Sequence, residues 1–244
     1  MSKVIALGDT HGRSAWKEIT LKEDADLIIF MGDYFDTHGG GYSGNRQIEN
    51  FKDIVAFKKA NMQKVILLIG NHDFHYMKGV NETYSKYQLR YALDIEKVLQ
   101  EALDEKLIQM CFTYDKYIFT HAGVTKTWLK NALGFEDNDN KNLELLEKYV
   151  NEAFTHNKNL FKFTMGDNLD QTGDDITQSP IWVRPMSLHR DKLSDVVYVV
   201  GHTPVTYIDI TKAKDFNIIL IDALGGHSPE YLIFTDDVPS VGKI

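Results

Sequence analysis

Thiol chemistry is almost missing from this chain: Cys111 is the one cysteine in 244 residues, which excludes an internal disulfide framework. It lies within an apolar run and reads as a core thiol in a reducing compartment. Proline is scarce too, with 5 residues, while 43% apolar and 25% charged residues match an ordinary globular protein. No apolar run is long enough to span a bilayer. Met1-Ser2-Lys3 leads straight into Val4-Ile5-Ala6-Leu7 without the apolar stretch of a signal peptide. The expectation is a cytoplasmic protein with no membrane partner. An excess of basic charge is also lacking. A net charge of -8 argues against tight, nonspecific binding to a nucleic-acid backbone. A phosphorylated ligand stays open, because bound divalent metals reverse the sign locally. Internal repeats are absent, and the length suits one domain over residues 1–244 better than two.

What the chain does have is a regular alternation of short β-rich apolar runs and amphipathic segments, the pattern of an α/β layered fold. Helical spacing runs through Ile48, Phe51, Ile54, Val55 and Lys58, and again through Tyr84, Tyr87, Tyr91, Ile95, Val98 and Leu99. Residues 136–178 turn polar and acidic around a helical stretch near Leu143 to Phe154, and read as an insertion or cap. Asn217 to Asp222 and Tyr231 to Thr235 read as two late strands.

Five of the apolar runs stop abruptly at Asp, Asn or His, mostly after glycine. They are Val4–Leu7 before Gly8-Asp9, Leu27–Met31 before Gly32-Asp33, and Val65–Ile69 before Gly70-Asn71. Tyr117–Thr120 before His121 and Val196–Val200 before Gly201-His202 complete the set. In open α/β sheets the ligand site lies just beyond the carboxyl ends of the strands, so these side chains are expected to converge. Taken singly, each is as readily a strand-ending turn: Asp9-Thr10-His11-Gly12 as an Asx-turn, Gly32-Asp33-Tyr34-Phe35-Asp36 as an acidic loop, His121 or His202 as a core histidine. Five independent strand ends carrying metal-type ligands rarely coincide.

The order Gly-Asp-x-His-Gly, Gly-Asp-x-x-Asp, Gly-Asn-His-Asp, His-Ala-Gly and Gly-His-Thr-Pro resembles the calcineurin-like metallophosphoesterases. Within them it is nearest the branch of serine/threonine protein phosphatases, bacterial protein phosphatases and symmetrical diadenosine tetraphosphate hydrolases. The resemblance runs from Val4 to about Asp222 and implies a four-layer α/β/β/α sandwich. By position it implies that Asp9 and His11 bind one divalent metal, that Asp33 bridges two, and that Asn71, His121 and His202 complete the second site. The metals expected for such ligands are manganese, iron or zinc. Two ions ~3.5–4 Å apart would acidify a bridging water, whose hydroxide attacks phosphorus. His72 resembles the general acid that protonates the departing oxygen, with Asp36 accepting its other N–H. Asp73 reads as supporting.

One departure stands out. The protein-phosphatase branch usually carries Arg-Gly after the second Asp, whereas this chain has Asp36-Thr37-His38-Gly39 and a Gly-rich loop to Asn45-Arg46. Arg46 or His38 is a possible replacement, though a solvated loop charge explains either one better. Pro180-Ile181-Trp182-Val183-Arg184-Pro185 resembles the Trp-x-Arg-Pro element that presents an arginine to phosphate, so Arg184 is the candidate. The expected activity is hydrolysis of phosphate monoesters, of a phosphoprotein or a nucleotide. A dinucleoside polyphosphate hydrolase, a nucleic-acid phosphodiesterase and a non-catalytic metal-binding scaffold are the alternatives.

Overall fold

The computed structural model describes residues 2–37, 41–135, 142–211 and 215–244. The expected runs become strands, in two sheets. In the first, β1 (Lys3–Leu7), β2 (Leu27–Phe30), β3 (Val65–Leu68) and β4 (Ile108–Gln109) run parallel. The antiparallel pair β9 (Glu230–Thr235) and β10 (Val238–Lys243) extends this sheet beyond β1. In the second, β6 (Tyr117–Thr120), β7 (Val197–Val200) and β8 (Ile218–Leu220) are parallel, with β5 (Cys111–Tyr114) antiparallel at the edge.

Alternation of side chains along each strand divides the core. Val4, Ala6, Ile29, Met31 and Leu68 of the first sheet meet Phe119, Val199, Ile219 and Ile221 of the second. The opposite faces carry helices. Ile5, Leu7, Ile28 and Phe30 pack with Trp16 and Ile19 of α1 (Ala15–Glu23), Phe51 and Ile54 of α2 (Gly44–Ala60) and Ile95 and Leu99 of α4 (Ala92–Asp104). Ile118, Tyr198 and Val200 pack with Leu129 of α5 (Lys126–Leu133), Leu146 and Val150 of α6 (Leu143–His156) and Leu188 of α7 (Pro185–Arg190). The result is the expected α/β/β/α sandwich. Strands buried on both faces must be apolar at every position, which is why they read as unbroken runs.

The helices begin and end where local chemistry dictates. Ser43 Oγ accepts the Arg46 N–H at the start of α2, and Thr125 Oγ1 accepts the Trp128 N–H at the start of α5. Pro185 opens α7, where its missing N–H costs nothing. A very short helix, α3 (Asn71–Phe74), follows β3 directly. Among the described residues, no helix is long and apolar enough to cross a membrane.

One expectation needs correcting. The helical spacing from Tyr84 to Leu99 produces an α-helix only from Ala92, with a 3-10 turn at Leu89–Tyr91 before it. Tyr84 and Tyr87 instead stack against His75 and Tyr76. Tertiary aromatic contacts override the periodic pattern there. Of the expected acidic insertion, residues 136–141 lie outside the described residues. Cys111 is buried in β5, as a core thiol should be.

Candidate metal centre and active site

Parallel strands point their carboxyl ends the same way, so β1, β2 and β3 deliver Asp9, Asp33 and Asn71 to one edge. The parallel strands β6, β7 and β8 deliver His121, His202 and Asp222 to the facing edge. The His202 N–H donates to Asp9 Oδ2 at 3.0 Å and so stitches the two edges together, while within the first edge the His72 N–H donates to Asp33 Oδ1 at 2.8 Å. Asp73 accepts the N–H groups of Asp33, Tyr34 and Gly70, at 2.8, 2.7 and 2.9 Å, and so locks the second loop against the third.

The glycines before these residues have a steric reason. A Cβ on Gly70 would lie 2.1 Å from Asp33 Oδ1, and one on Gly201 would lie 2.1 Å from Asp9 Oδ1. Each site carboxylate thus rests on the bare backbone of another strand end. Four site residues, His11 (φ 43), Asp33 (φ 51), Asp36 (φ 59) and His202 (φ 60), occupy the left-handed region. That conformation costs of order 1–3 kcal/mol each for a non-glycine residue and concentrates at functional sites. Gly201→Ala is expected to cost about 1–3 kcal/mol through overpacking and to weaken metal uptake. Thermal melting and metal titration read both effects, and wild-type values in both would show that Asp9 can simply move aside.

The donor chemistry tests whether a cation fits. His11 donates from Nδ1 to the Phe35 carbonyl at 2.7 Å, which leaves the Nε2 lone pair 3.8 Å from Asp33 Oδ2. His121 donates from Nδ1 to the Met31 carbonyl at 2.9 Å. Its Nε2 therefore faces Asp33 Oδ2 at 3.4 Å and Asn71 Oδ1 at 3.0 Å. His202 Nδ1 reaches the same Asn71 Oδ1 at 2.9 Å, and its buried Nε2 has no hydrogen-bond partner among the described residues. Lone pairs meeting lone pairs are repulsive unless a positive charge lies between them. Only a proton or a metal ion satisfies such a cluster.

The charges agree. Asp9, Asp33, Asp73 and Asp222 are all buried. Burial, then Asp222 and Asp33, push the Asp9 carboxyl well above its ordinary range. Burial and then Asp33 raise Asp73 to about 7 and Asp222 to about 6. Burial also works on Asp33 in the raising direction, but His121, His72 and His11 outweigh it and hold that carboxyl well below the usual range. Burial lowers His11 to about 4 and, with Arg184, lowers His202. His121 goes the other way: burial opposes its charge, but Asp33 beside it draws a proton on. A pocket that gathers carboxylates around the neutral imidazoles of His11 and His202, and draws a proton onto His121, is built for positive charge.

Among the described residues, two groups of buried side chains have ligand spacing: Asp9, Asp33 and His121, and Asp36, His72 and His75. The second differs in kind. Asp36 Oδ2 lies 3.1 Å from His72 Nδ1 and 2.6 Å from His75 Nε2, the latter off the line of a well-aligned hydrogen bond. Its Oδ1 accepts from the Tyr76 hydroxyl at 2.5 Å and the Gln88 amide at 3.1 Å. Donors converge on one carboxylate, which is a hydrogen-bond hub. Burial opposes the charge on Asp36, and these donors, His72 first, more than offset it.

Asp9, His11, Asp33, Asn71, His72, Arg184 and His202 all line one cleft of about 430 Å³. His121 lies beneath it, fully buried. Tyr84, Phe163 and Trp182 form an aromatic wall over the same cleft, with Trp182 edge-on to both other rings at 4.4 and 5.0 Å. Arg184 is tied down by its Nε to the Thr172 carbonyl at 2.9 Å and its Nη1 to the His202 carbonyl at 3.2 Å. Arg46 is exposed, its guanidinium 4.2 Å from the Tyr42 ring, and it does not line the cleft. His38 falls outside the described residues.

Sequence reasoning missed His75, Tyr76, Tyr84, Gln88 and Asp222. Asp222 ends an apolar run as the five chosen residues do, so the same rule would have found it. Gln88 carries no local signal, because only the fold brings it to Asp36.

The sequence profile of the calcineurin-like phosphoesterase family matches residues 2–231. The chain belongs to that family and is a metal-dependent phosphoric ester hydrolase. No curated protein matches it. Solved structures of similar fold include a cold-active protein tyrosine phosphatase, at 18% identity over 100% of this chain and 76% of that one, with a TM-score of 0.61. Another is the cold-active protein-tyrosine phosphatase of a psychrophilic Shewanella species, at 18% over 100% and 78%, with a TM-score of 0.58. A metallophosphoesterase from Sphaerobacter thermophilus superposes with a TM-score of 0.54, at 13% identity over 99% and 88%.

Proposed function

We propose that the protein hydrolyses phosphate monoesters with two divalent metals, manganese, iron or zinc, which the residues around Asp33 would hold. The observation that carries this reading is Asp33 Oδ2, which faces imidazole nitrogens of both sets of ligands, His11 Nε2 at 3.8 Å and His121 Nε2 at 3.4 Å. Asp9 and His11 would hold the first ion, and Asn71, His121 and His202 the second. Bound there, the ions supply charge neutralisation at the phosphate oxygens and an acidified water as nucleophile.

The remaining steps belong to side chains. Asp36 holds the proton of His72 on Nδ1, which aims Nε2 toward the departing oxygen as its proton source. Burial opposes protonation of His72, but Asp33 and Asp36 outweigh it, so its pKa lies above the ordinary value and the acid form is favoured. Arg184, fixed by two backbone carbonyls, is the candidate to orient phosphate with its remaining N–H groups. The aromatic wall of Tyr84, Phe163 and Trp182 supports a leaving group with a flat apolar face. An aryl ester such as phosphotyrosine, the substrate class named for two neighbours of similar fold, suits it.

The test is a turnover screen of metal-reconstituted protein. Phosphotyrosine and phosphoserine peptides, nucleotides, diadenosine polyphosphates and phosphorylated oligonucleotides are compared. Preferred turnover of the dinucleotides or oligonucleotides would replace the monoesterase reading. For Arg184→Lys the expected result is a roughly 10- to 100-fold drop in kcat/KM with both metals retained, since a lysine loses the planar grip. Arg46→Ala on the same substrate is expected to change little. A larger loss at Arg46 would assign the phosphate grip to the loop before α2.

A further inference from the structure

Asp36 has more partners than the orientation of a single imidazole requires, and one of them reaches elsewhere. The side chain of His75 is fully enclosed, with 0% exposure, and its Nε2 lies 2.6 Å from Asp36 Oδ2, the same oxygen that faces His72. Its Nδ1 accepts the backbone N–H of Tyr84 at 3.2 Å, which places the ring proton on Nε2, toward Asp36. The rings of His75 and Tyr84 stack at 5.2 Å and 15°, and Tyr84 lines the substrate cleft. A single imidazole therefore joins the wall of the cleft to the carboxylate that steers His72.

We propose that His75 is a positioning residue for proton delivery. It pins the Asp36 carboxylate, and through it the His72 ring, in register with the Tyr84 wall against which the leaving group sits. This rests on the reading of His72 as proton donor. The terminal torsion of an aspartate is soft, so a carboxylate that loses one donor has room to rotate and misdirect the imidazole it holds. A metal ion among Asp36, His72 and His75 is the competing reading. Ligands about 2.1 Å from one ion normally stand about 3 Å apart, whereas His75 and Asp36 are at 2.6 Å and Asp36 already accepts from Tyr76 and Gln88.

The experiment compares His75→Leu, His75→Gln and His72→Ala on nitrophenyl phosphate and on an alkyl phosphate, with metal content and melting temperature measured alongside. His75→Leu is expected to lower kcat on the alkyl ester roughly tenfold, the lower end of what loss of a polar contact to a charge brings. Its rate on the nitrophenyl ester should stay within about twofold, with metal content unchanged. His75→Gln should restore the alkyl rate, because its amide nitrogen donates to Asp36 while its oxygen accepts the Tyr84 N–H. If His75→Leu does not fold, His75→Asn, too short to span both partners, takes its place. Equal loss on both esters, or a Gln variant as poor as the Leu variant, reduces His75 to a packing residue and overturns the proposal. A selective His72→Ala beside an unselective His75→Leu sinks this inference alone. An unselective His72→Ala removes the donor reading and the inference with it.

Discussion

Asp33→Asn is expected to reduce metal content from two ions per chain to one or none and activity to background. The substitution keeps the shape of the side chain and a carbonyl-type oxygen for the His72 N–H, now 2.8 Å from Asp33 Oδ1. It removes the one charge that both sets of imidazole lone pairs face. The fold should survive, and for a reason specific to this site. In the metal-free protein, Asp33 raises the carboxyl groups of Asp9, Asp73 and Asp222 by repulsion. Neutralising it relieves that strain while it weakens the hold on cations. The same change removes the charge that His121, His72 and His11 stabilise, so the metal-free variant is expected to stay folded but to melt below metal-free wild type, and to gain less from added manganese or zinc, since a ligand stabilises only in proportion to its binding. Metal analysis with melting curves, with and without chelator, measures both effects. Two tightly held ions and wild-type turnover in the Asn variant would remove Asp33 from the centre of the site.

His72→Ala is expected to separate binding from proton transfer. The His72 backbone N–H, which alanine keeps, holds Asp33 Oδ1, so both metals should remain. An alkoxide leaves poorly without a proton, whereas a nitrophenolate leaves without one. The loss on an alkyl phosphate should reach ~10²–10⁴-fold, the usual contribution of general acid catalysis, and the loss on nitrophenyl phosphate should be far smaller. Equal losses on both esters would make His72 a structural residue of the α3 loop.

How far the sequence foretold the molecule depends on where the information is stored. Strand ends were legible because an Asp, Asn or His that stops an apolar run is a local event, repeated five times from Asp9 to His202 and four times with a glycine before it. The glycines themselves could be read only as punctuation. Their real task, making room for a carboxylate from another strand, is a contact across the fold: Gly70 with Asp33, Gly201 with Asp9. The surroundings of Asp36 were hidden for the same reason. Gln88 is 52 residues from Asp36 in sequence, and its amide reaches both Asp36 and Gln47. Tyr84 misled outright, since its spacing with Tyr87 and Tyr91 suits a helix while its ring belongs to the cleft. The edge strands β5 and β10 also went unread, being half-exposed and less uniformly apolar than the central ones.

The contact between Asp9 and the His202 N–H spans 193 residues, and this has a consequence for how the protein comes into being. During synthesis the first-made ligands must wait, unmatched, while most of the chain is still to emerge. Loop closure over such a separation is slow compared with the formation of any single helix. Metal uptake is therefore a late event in maturation. The time at which bound metal first appears in a refolding experiment should mark the docking of the end of β7 against the end of β1, and a bound ion then records that the two sheets have come together.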